Sequence, residues 1–286
     1  VDGAARNGVP GRLFNRKALT RQHRLVNSRV AALDNTVNRN GTARAEAGNA
    51  PAEPIVEFIE QRIGAKINTA PIDRKIYEVT EAKQTRIVIA DKASAPQTTL
   101  QFGRPAPPML SSDYSAAQLA NTLFGGYFMS VLNRKIREEM GLTYGIYSYI
   151  ANRRNGSPLI ISSNLNKENT RRAIDCIIDE MRKFSAEPAD PNEIFTAQQY
   201  ILGSFLRSTE TPQDVANLIH SCIVNGVQTD FYDKYYDFIT KATPEAIAEA
   251  QKKYFSPEYL TISLVGPEDF LAKEIEGLPR GEVLEY

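Results

Sequence analysis

The sequence predicts an α+β fold in which helices pack on one face of a mostly antiparallel sheet. Two observations indicate strands near the start of the domain: residues 86–90 are rich in β-branched side chains, and residues 97–102 alternate between polar and apolar ones. A third observation is that cap–proline pairs open three separate helices later in the chain. Strand pairs interrupted by runs of helices, rather than a regular alternation, are typical of α+β proteins.

The second of these strands places Thr98, Leu100 and Phe102 on one face, and a turn at residues 91–96 precedes it. We expect the strand to end before residues 104–108, because three prolines there remove amide donors that a sheet ladder needs. Both strands are therefore expected to be short and bounded by turns.

Two helices are expected next, each bounded by a capping side chain or by glycine. The first begins after Ser112 or Asp113 and ends at the glycine pair 125–126. The second covers about residues 128–140 and ends at Gly141.

A β-hairpin is predicted after the second helix, with strands at residues 143–151 and 159–165. The remainder is mostly helical, beginning with a helix after Asn166 that carries a regular apolar stripe. Three further helices open with a capping side chain followed by proline, at Asp190-Pro191, Thr211-Pro212 and Thr243-Pro244. A short helix near residues 231–239 and a last strand at residues 259–265 complete the pattern.

Composition and charge divide the chain into four segments. Residues 1–50 form a basic arm, since residues 1–45 carry a net charge of +7 and too few apolar side chains for a core. Residues 51–74 are a linker with a short helix, residues 75–275 a single domain, and residues 276–286 a C-terminal tail. The arm is a flexible remnant of a preceding segment, a docking element for a partner, or a nucleic-acid contact. It lacks the interleaved aromatic residues that base stacking requires.

The overall composition, 42% apolar and 24% charged residues, is that of an ordinary globular protein. No apolar run approaches the roughly 20 residues that span a bilayer. Because the sequence begins at Val1 rather than Met, we expect a processed product or a fragment. Cys176 and Cys222 fall on apolar helix stripes and are expected to be buried free thiols.

The chain lacks the residues for a zinc peptidase centre of its own. Such a centre needs two histidines four residues apart on one helix face, whereas the only histidines are His23 and His220. His220 and Ser221 are neighbours on a helix and point about 100° apart, so they cannot share a proton. No G-x-S-x-G elbow occurs either. We expect no metal or cofactor to be bound by this chain, and a partly exposed structural role for His220.

The segment at residues 121–148, NTLFGGYFMSVLNRKIREEMGLTYGIYS, joins Arg137 near a helix end to Tyr144 in the following turn. This segment resembles the C-terminal, non-zinc-binding repeat of the insulinase/pitrilysin family, the inverted-motif zinc peptidases similar to mitochondrial processing peptidase. The likeness covers about residues 70–275, and residues 1–50 show none.

The resemblance implies a processing-peptidase-like metallohydrolase repeat that acts as the non-zinc half of a metallopeptidase. In this family one repeat carries H-x-x-E-H and binds zinc, while the other supplies an arginine and a tyrosine that reach the substrate. By their positions these residues are Arg137 and Tyr144, which would bind extended peptide and assist hydrolysis in trans. A guanidinium and a phenol can both donate hydrogen bonds to a carbonyl oxygen on which negative charge develops. Zinc is then expected in a partner domain or subunit, and this chain is expected to be inactive alone.

Other interpretations remain open at this point. Arg137 could cap helix carbonyls or pair with Glu138 or Glu139, and Tyr144 could simply pack beside Tyr147. The chain would then be a catalytically silent structural or assembly subunit with the same fold. A heterodimer in the periplasm or cell envelope is suggested by resemblance to bacterial relatives alone, and a nucleic-acid tether in the basic arm is the remotest alternative.

Overall fold

A computed structural model describes residues 51–64, 82–154, 156–278 and 280–284. The basic arm predicted at residues 1–50 and the part of the predicted linker that follows residue 64 lie outside these ranges. The described residues fall into two compact units: residues 51–64 and 203–221 belong to the first, and residues 82–202 and 222–284, apart from the undescribed 155 and 279, belong to the second. The sheet and the candidate site belong to the second unit.

Six strands of the described residues form one sheet. They are β1 (Arg86–Asp91), β2 (Gln97–Ala106), β3 (Ile146–Ile150), β4 (Ser157–Asn166), β5 (Thr261–Gly266) and β6 (Arg280–Leu284). Their order across the sheet is β3-β4-β2-β5-β1-β6. The neighbours among β3, β4, β2 and β5 pair antiparallel, whereas β1 runs parallel to both β5 and β6. The predicted α+β class with a mostly antiparallel sheet is confirmed.

Besides short 3-10 helices at Lys167–Asn169 and Thr229–Asp233, the described residues contain nine helices in the two units. They are α1 (Ala52–Ile63), α2 (Tyr114–Asn121), α3 (Asn133–Glu139), α4 (Thr170–Ala186), α5 (Pro191–Arg207), α6 (Pro212–Asn225), α7 (Tyr235–Thr240), α8 (Pro244–Tyr254) and α9 (Glu268–Glu274). α3 is wound as a π-helix, and α2 continues into a π-helical turn, Thr122–Gly126. No helix of the described residues is long and apolar enough to cross a membrane.

The three predicted cap–proline helices begin where the sequence places them. The backbone amides of Asp214 and Ala246 donate to the threonine hydroxyls at the starts of α6 and α8, both at 3.2 Å. At the start of α5 the Asn192 amide donates to the Asp190 carboxylate at 2.8 Å. The side chain therefore caps each helix, as the local sequence predicts.

Helices cover one face of the sheet, and the strands show the expected alternation. In β2, Leu100 and Phe102 are buried while Gln101 between them is exposed. Above this face, the rings of Phe124, Phe184 and Phe255 form a cluster with centroids 4.9 to 5.3 Å apart. On the opposite face of β1 to β5, the side chains other than Ala90 are half-buried or exposed, so most of this face is accessible on the second unit.

The expectation that β2 ends before its prolines is wrong. The strand continues to Ala106, and Pro105 pairs with Pro158 of β4. The Ala151 amide donates to the Pro158 carbonyl, so the backbone polar groups of Pro158 face β3 rather than Pro105. Pro105 in turn faces the side of β5, where pairing has already stopped at Gly103. No neighbouring strand therefore needs a backbone N–H donor from either proline, and the sheet accommodates both.

Other differences concern contacts between distant parts of the chain. β1 and β2 follow one another in sequence, yet β5 lies between them in the sheet. α9 and β6 were not predicted, and β6 lies in the segment 276–286 that was assigned to a tail. The predicted cap Asp113 precedes α2, but its carboxylate caps no amide of that helix.

Candidate functional site

The candidate site lies where α3 ends and the chain turns into β3. The Leu142 amide donates to the carbonyl of Ile136 at 3.0 Å, which closes the helix end. Gly141 between them has φ of +63°, a left-handed conformation that glycine adopts without steric cost. This turn places Arg137 in the last turn of the helix and Tyr144 just before the strand.

Two neighbours hold the Arg137 side chain, which is 31% exposed. Its guanidinium carbon lies 4.3 Å from the centre of the Phe128 ring, within the range of a cation–π interaction. One terminal nitrogen is 3.3 Å from the Glu138 carboxylate. Of the two ion pairs considered from sequence, the Glu138 pair is therefore present. The guanidinium is positioned at the surface and still reaches solvent.

Tyr144 is almost fully exposed, at 96% of its accessible surface. The turn that carries it is nevertheless fixed by hydrogen bonds on either side. The Thr143 hydroxyl donates to the Asn164 carbonyl at 2.7 Å, and the Ser163 hydroxyl donates to the Gly145 carbonyl at 3.0 Å. The phenol itself has no hydrogen-bond partner among the described residues, so it is available to a ligand.

Tyr147 and Tyr149 project from β3 and are 58% and 45% exposed. A Cβ atom added at Gly145 would lie 3.0 Å from the Tyr147 hydroxyl, so the Tyr147 ring folds back over the turn. The small residue at position 145 therefore leaves room for a second phenol beside Tyr144. Since β3 is an edge strand, three tyrosines follow one another along the border of the sheet.

Within the described residues, no hydrogen bond or ring contact joins Arg137 to Tyr144 directly. Neither residue lines two large cavities of the second unit, which are described below. Both side chains reach the surface on consecutive elements, but the structure does not bring them together as a closed pocket. A second surface is needed to complete any site that uses both.

Metal-binding and thiol chemistry have no basis in the described residues. No group of three His, Cys, Asp or Glu side chains among them could hold a metal ion. His220 is exposed on α6, and His23 lies outside the described residues. Both cysteines are free, but Cys176 is half-buried rather than buried as expected. Burial raises the pKa of both thiols, to about 11 for Cys222, so neither is a reactive thiolate.

Sequence reasoning missed a polar cluster around Asp113. Its carboxylate accepts hydrogen bonds from the Ser111 and Tyr254 hydroxyls and pairs with the Lys253 ammonium at 3.0 Å. Burial alone would raise the pKa of Asp113, but these donors outweigh it and lower the pKa to about 2. The pairing across 140 residues joins the start of α2 to the end of α8. No local pattern could have indicated it.

Residues 45–201 match the family described as the Peptidase M16 inactive domain. Because the match takes in more than half of the chain, this protein belongs to that family. The predicted insulinase/pitrilysin resemblance is confirmed. The match begins at residue 45, inside the segment where no likeness was expected, and contains the turn with Arg137 and Tyr144. No curated protein matches the sequence.

Solved structures with a similar fold include an inactive M16 peptidase domain from Pseudomonas fluorescens, with a TM-score of 0.64 and 21% identity over 75% of this chain and 51% of that one. A protease from Helicobacter pylori has a TM-score of 0.61 and 15% identity, covering 77% of this chain and 53% of its own. The periplasmic protease PqqL from Escherichia coli has a TM-score of 0.52 and 17% identity over 77% of this chain and 24% of PqqL. At these identities the likeness shows the fold alone. This chain spans about half the length of the first two.

Proposed function

We propose that this chain is the non-zinc half of a pitrilysin-type zinc metallopeptidase. In this role Arg137 and Tyr144 bind the substrate peptide and donate hydrogen bonds to the carbonyl oxygen under attack. The zinc ion and the H-x-x-E-H motif belong to a partner domain or subunit, and substrate lies extended between the halves. The observation that carries this proposal is the exposed Tyr144 phenol on a turn fixed by hydrogen bonds, in a chain of the M16 inactive-domain family.

A donor that stabilises developing charge must be held in place before the reaction begins. The hydrogen bonds of Thr143 and Ser163 fix the turn on both sides of Tyr144, so the start of its side chain is held in place while the exposed ring can still rotate towards a ligand. In the isolated chain the Tyr144 phenol is 96% exposed, so a hydrogen bond that it donates to a ligand competes with water and is weak. The hydrogen bond becomes stronger when a partner surface excludes water around the phenol, because hydrogen bonds to charge strengthen in a low dielectric.

Arg137 has a matching arrangement. The guanidinium carbon lies over the Phe128 ring, and the side chain remains 31% exposed, so part of the guanidinium reaches the surface. An arginine in such a position can present parallel donors to a peptide carbonyl or carboxylate. The Glu138 contact at 3.3 Å involves two partly exposed groups and is weak enough to be exchanged for a ligand.

The Glu138 ion pair is also what a silent structural subunit would show, because Arg137 then has a partner without any substrate. The two functions differ in what happens to catalysis, and reconstitution with a zinc-bearing partner separates them. For the peptidase half we expect Arg137→Gln and Tyr144→Phe each to lower kcat/KM of the complex by about 100-fold. This corresponds to the roughly 3 kcal/mol typical of one lost transition-state donor.

Matched controls come from the same two elements. Arg134→Gln removes an arginine on α3 that pairs with Glu193 at 2.9 Å, and Tyr149→Phe removes a hydroxyl on β3. Both control complexes should keep kcat/KM within about twofold of the unaltered complex. A stable complex in which neither Arg137→Gln nor Tyr144→Phe changes kcat/KM would favour the structural subunit.

The proposed compartment is the periplasm or cell envelope. It is supported by the fold shared with PqqL, whose description is that of a periplasmic protease. Fractionation of the native host with an antibody to this chain tests the assignment, and recovery with cytoplasmic markers would contradict it.

A further inference from the structure

A cavity of about 920 Å³ opens at the end of the sheet where β1 and β5 begin. Its described lining contains four basic side chains, Lys83, Arg86, Arg104 and Arg153, and no aspartate or glutamate. Gly103 of β2 contributes no side chain to the lining, and a Cβ added there would meet only the Thr261 carbonyl, at 3.7 Å. The result is a concave surface whose charged groups all have one sign.

The basic side chains differ in how they are held. Arg104 is half-buried and donates hydrogen bonds to the carbonyls of Ser256 and Lys253. It therefore contributes positive charge to the cavity lining and also links β2 to the segment after α8. Arg86 is exposed, and its Nε donates a hydrogen bond at 3.4 Å to the hydroxyl of Thr261, which also lines the cavity. Lys83 and Arg153 are exposed and form no ion pair with any described residue.

The second cavity of the same unit, about 790 Å³, provides a contrast. It is also lined by lysines, but each of them has a carboxylate partner. Lys253 pairs with Asp113 at 3.0 Å, and Lys241 pairs with Asp237 at 2.9 Å. The third, Lys234, pairs with Asp230 at 2.9 Å. Of these two cavities, only the first contains basic side chains, Arg86, Lys83 and Arg153, that pair with no carboxylate of the described residues. Positive charge of this kind in a concave surface attracts an anionic ligand.

We propose that the cavity around Gly103, Arg86 and Arg153 binds an acidic peptide segment. The cavity, at about 920 Å³, is far larger than a single small anion. Carboxylate side chains on one face of an extended peptide recur at every second residue, about 6.6 Å apart, and can meet several basic groups of the lining. Arginine is suited to this ligand because its planar guanidinium pairs with a carboxylate through two parallel hydrogen bonds.

The cavity is separate from the Arg137 and Tyr144 region. The turn that carries Tyr144 is bonded to Asn164 near the end of β4, whereas the cavity is lined by Pro158 near its start. Six residues of strand at about 3.3 Å each place these points about 20 Å apart. The choice of a peptide over other polyanions rests on the proposed peptidase function. The existence of an anion site rests only on the basic lining of the cavity.

The test measures binding of a fluorescently labelled hexaglutamate peptide to the full chain by fluorescence anisotropy, with hexaserine as the uncharged control. No partner or zinc is required, so failure of the reconstitution assay would leave this result unaffected. We expect Arg86→Gln with Arg153→Gln to weaken hexaglutamate binding about tenfold or more. The matched control, Lys234→Gln with Lys241→Gln, removes the same charge from the other cavity and should change affinity by less than about twofold.

The controls also address the basic residues 1–45, which are identical in all variants. Equal weakening by the two double variants would mean that net charge alone binds the peptide, and the site would be wrong. Absence of hexaglutamate binding would overturn it as well. A single-stranded oligonucleotide of equal charge that binds more tightly, with the same dependence on Arg86 and Arg153, would assign the cavity to nucleic acid instead.

Discussion

Substituting alanine for Gly125 tests how closely the end of α2 approaches β3. A Cβ atom at position 125 would lie 2.5 Å from the Ser148 hydroxyl oxygen and 2.9 Å from both the Cβ and the backbone nitrogen of Ser148. Carbon atoms in contact prefer about 3.5 Å or more, so helix and strand must separate by roughly 0.6 to 1 Å. The glycine was interpreted from sequence as a helix stop, yet its neighbours indicate a packing role.

The expected cost follows from opposing contributions. Overpacking of this kind costs about 1–3 kcal/mol, and the separation also strains the hydrogen bond that the Asn121 side-chain amide donates to the Ser148 carbonyl at 3.2 Å. Alanine regains up to about 1 kcal/mol over glycine in helix propensity. We therefore expect Gly125→Ala to reduce the free energy of unfolding by about 1–2 kcal/mol, a fall in Tm of roughly 2–8 °C for a domain of this size.

Urea denaturation followed by circular dichroism measures the difference, with Gly103→Ala as the matched control. At Gly103 the added methyl meets only one atom, at 3.7 Å, so its effect should stay within about 0.5 kcal/mol. Ser148→Ala in the Gly125→Ala background removes the 2.5 Å contact but leaves both 2.9 Å contacts, and should restore only part of the loss. If Gly125→Ala is as stable as Gly103→Ala, the close approach of α2 to β3 is wrong.

Two further predictions concern polar contacts of the second unit, one buried and one half-buried. Gln251 donates to the carbonyls of Phe184 and Glu187 and accepts from the Ala189 amide, at 2.8, 3.1 and 3.2 Å. Gln251→Leu should cost about 2–3 kcal/mol in urea denaturation because these groups lose their partner. A loss under about 0.5 kcal/mol would contradict this role. Asp113, with a pKa lowered from 3.8 to about 2, stabilises the fold above about pH 4 and loses this contribution as pH falls towards 2. The stability advantage over Asp113→Asn should therefore shrink by about 1–2 kcal/mol between pH 6 and pH 2.5, allowing for solvent screening, and a constant difference would disprove it.

Local chemistry determined which elements the sequence could predict. The threonines before Pro212 and Pro244 cap helices through contacts three residues away, so their effect is visible in any short window. The pairing of β1 with β5 joins residues 175 positions apart, at Arg86 and Thr261. No periodicity in one sequence encodes such a pairing.

Pro105 shows that local sequence can also predict a strand end that does not occur. Its missing amide matters only if a neighbouring strand needs a donor at that position, and the neighbouring strand is known only from the assembled sheet. The candidate site was found by family resemblance rather than by pattern. What resemblance could not supply was the Phe128 ring against Arg137, or a cationic cavity built from four separate chain segments.

The two proposed sites are expected to act independently, because of their separation. The two regions contact β4 at points about 20 Å apart, well beyond the Debye length of about 8 Å at physiological salt, so direct interaction between exposed charges at these two points would be largely screened. Substitutions at Arg86 and at Arg137 share no described contact partner, so their free-energy effects should be additive within about 0.5 kcal/mol. A single extended peptide touching both regions would introduce coupling only through its own covalent chain. Such coupling would disappear when the peptide is cut into two short ligands, whereas coupling carried by the protein would persist.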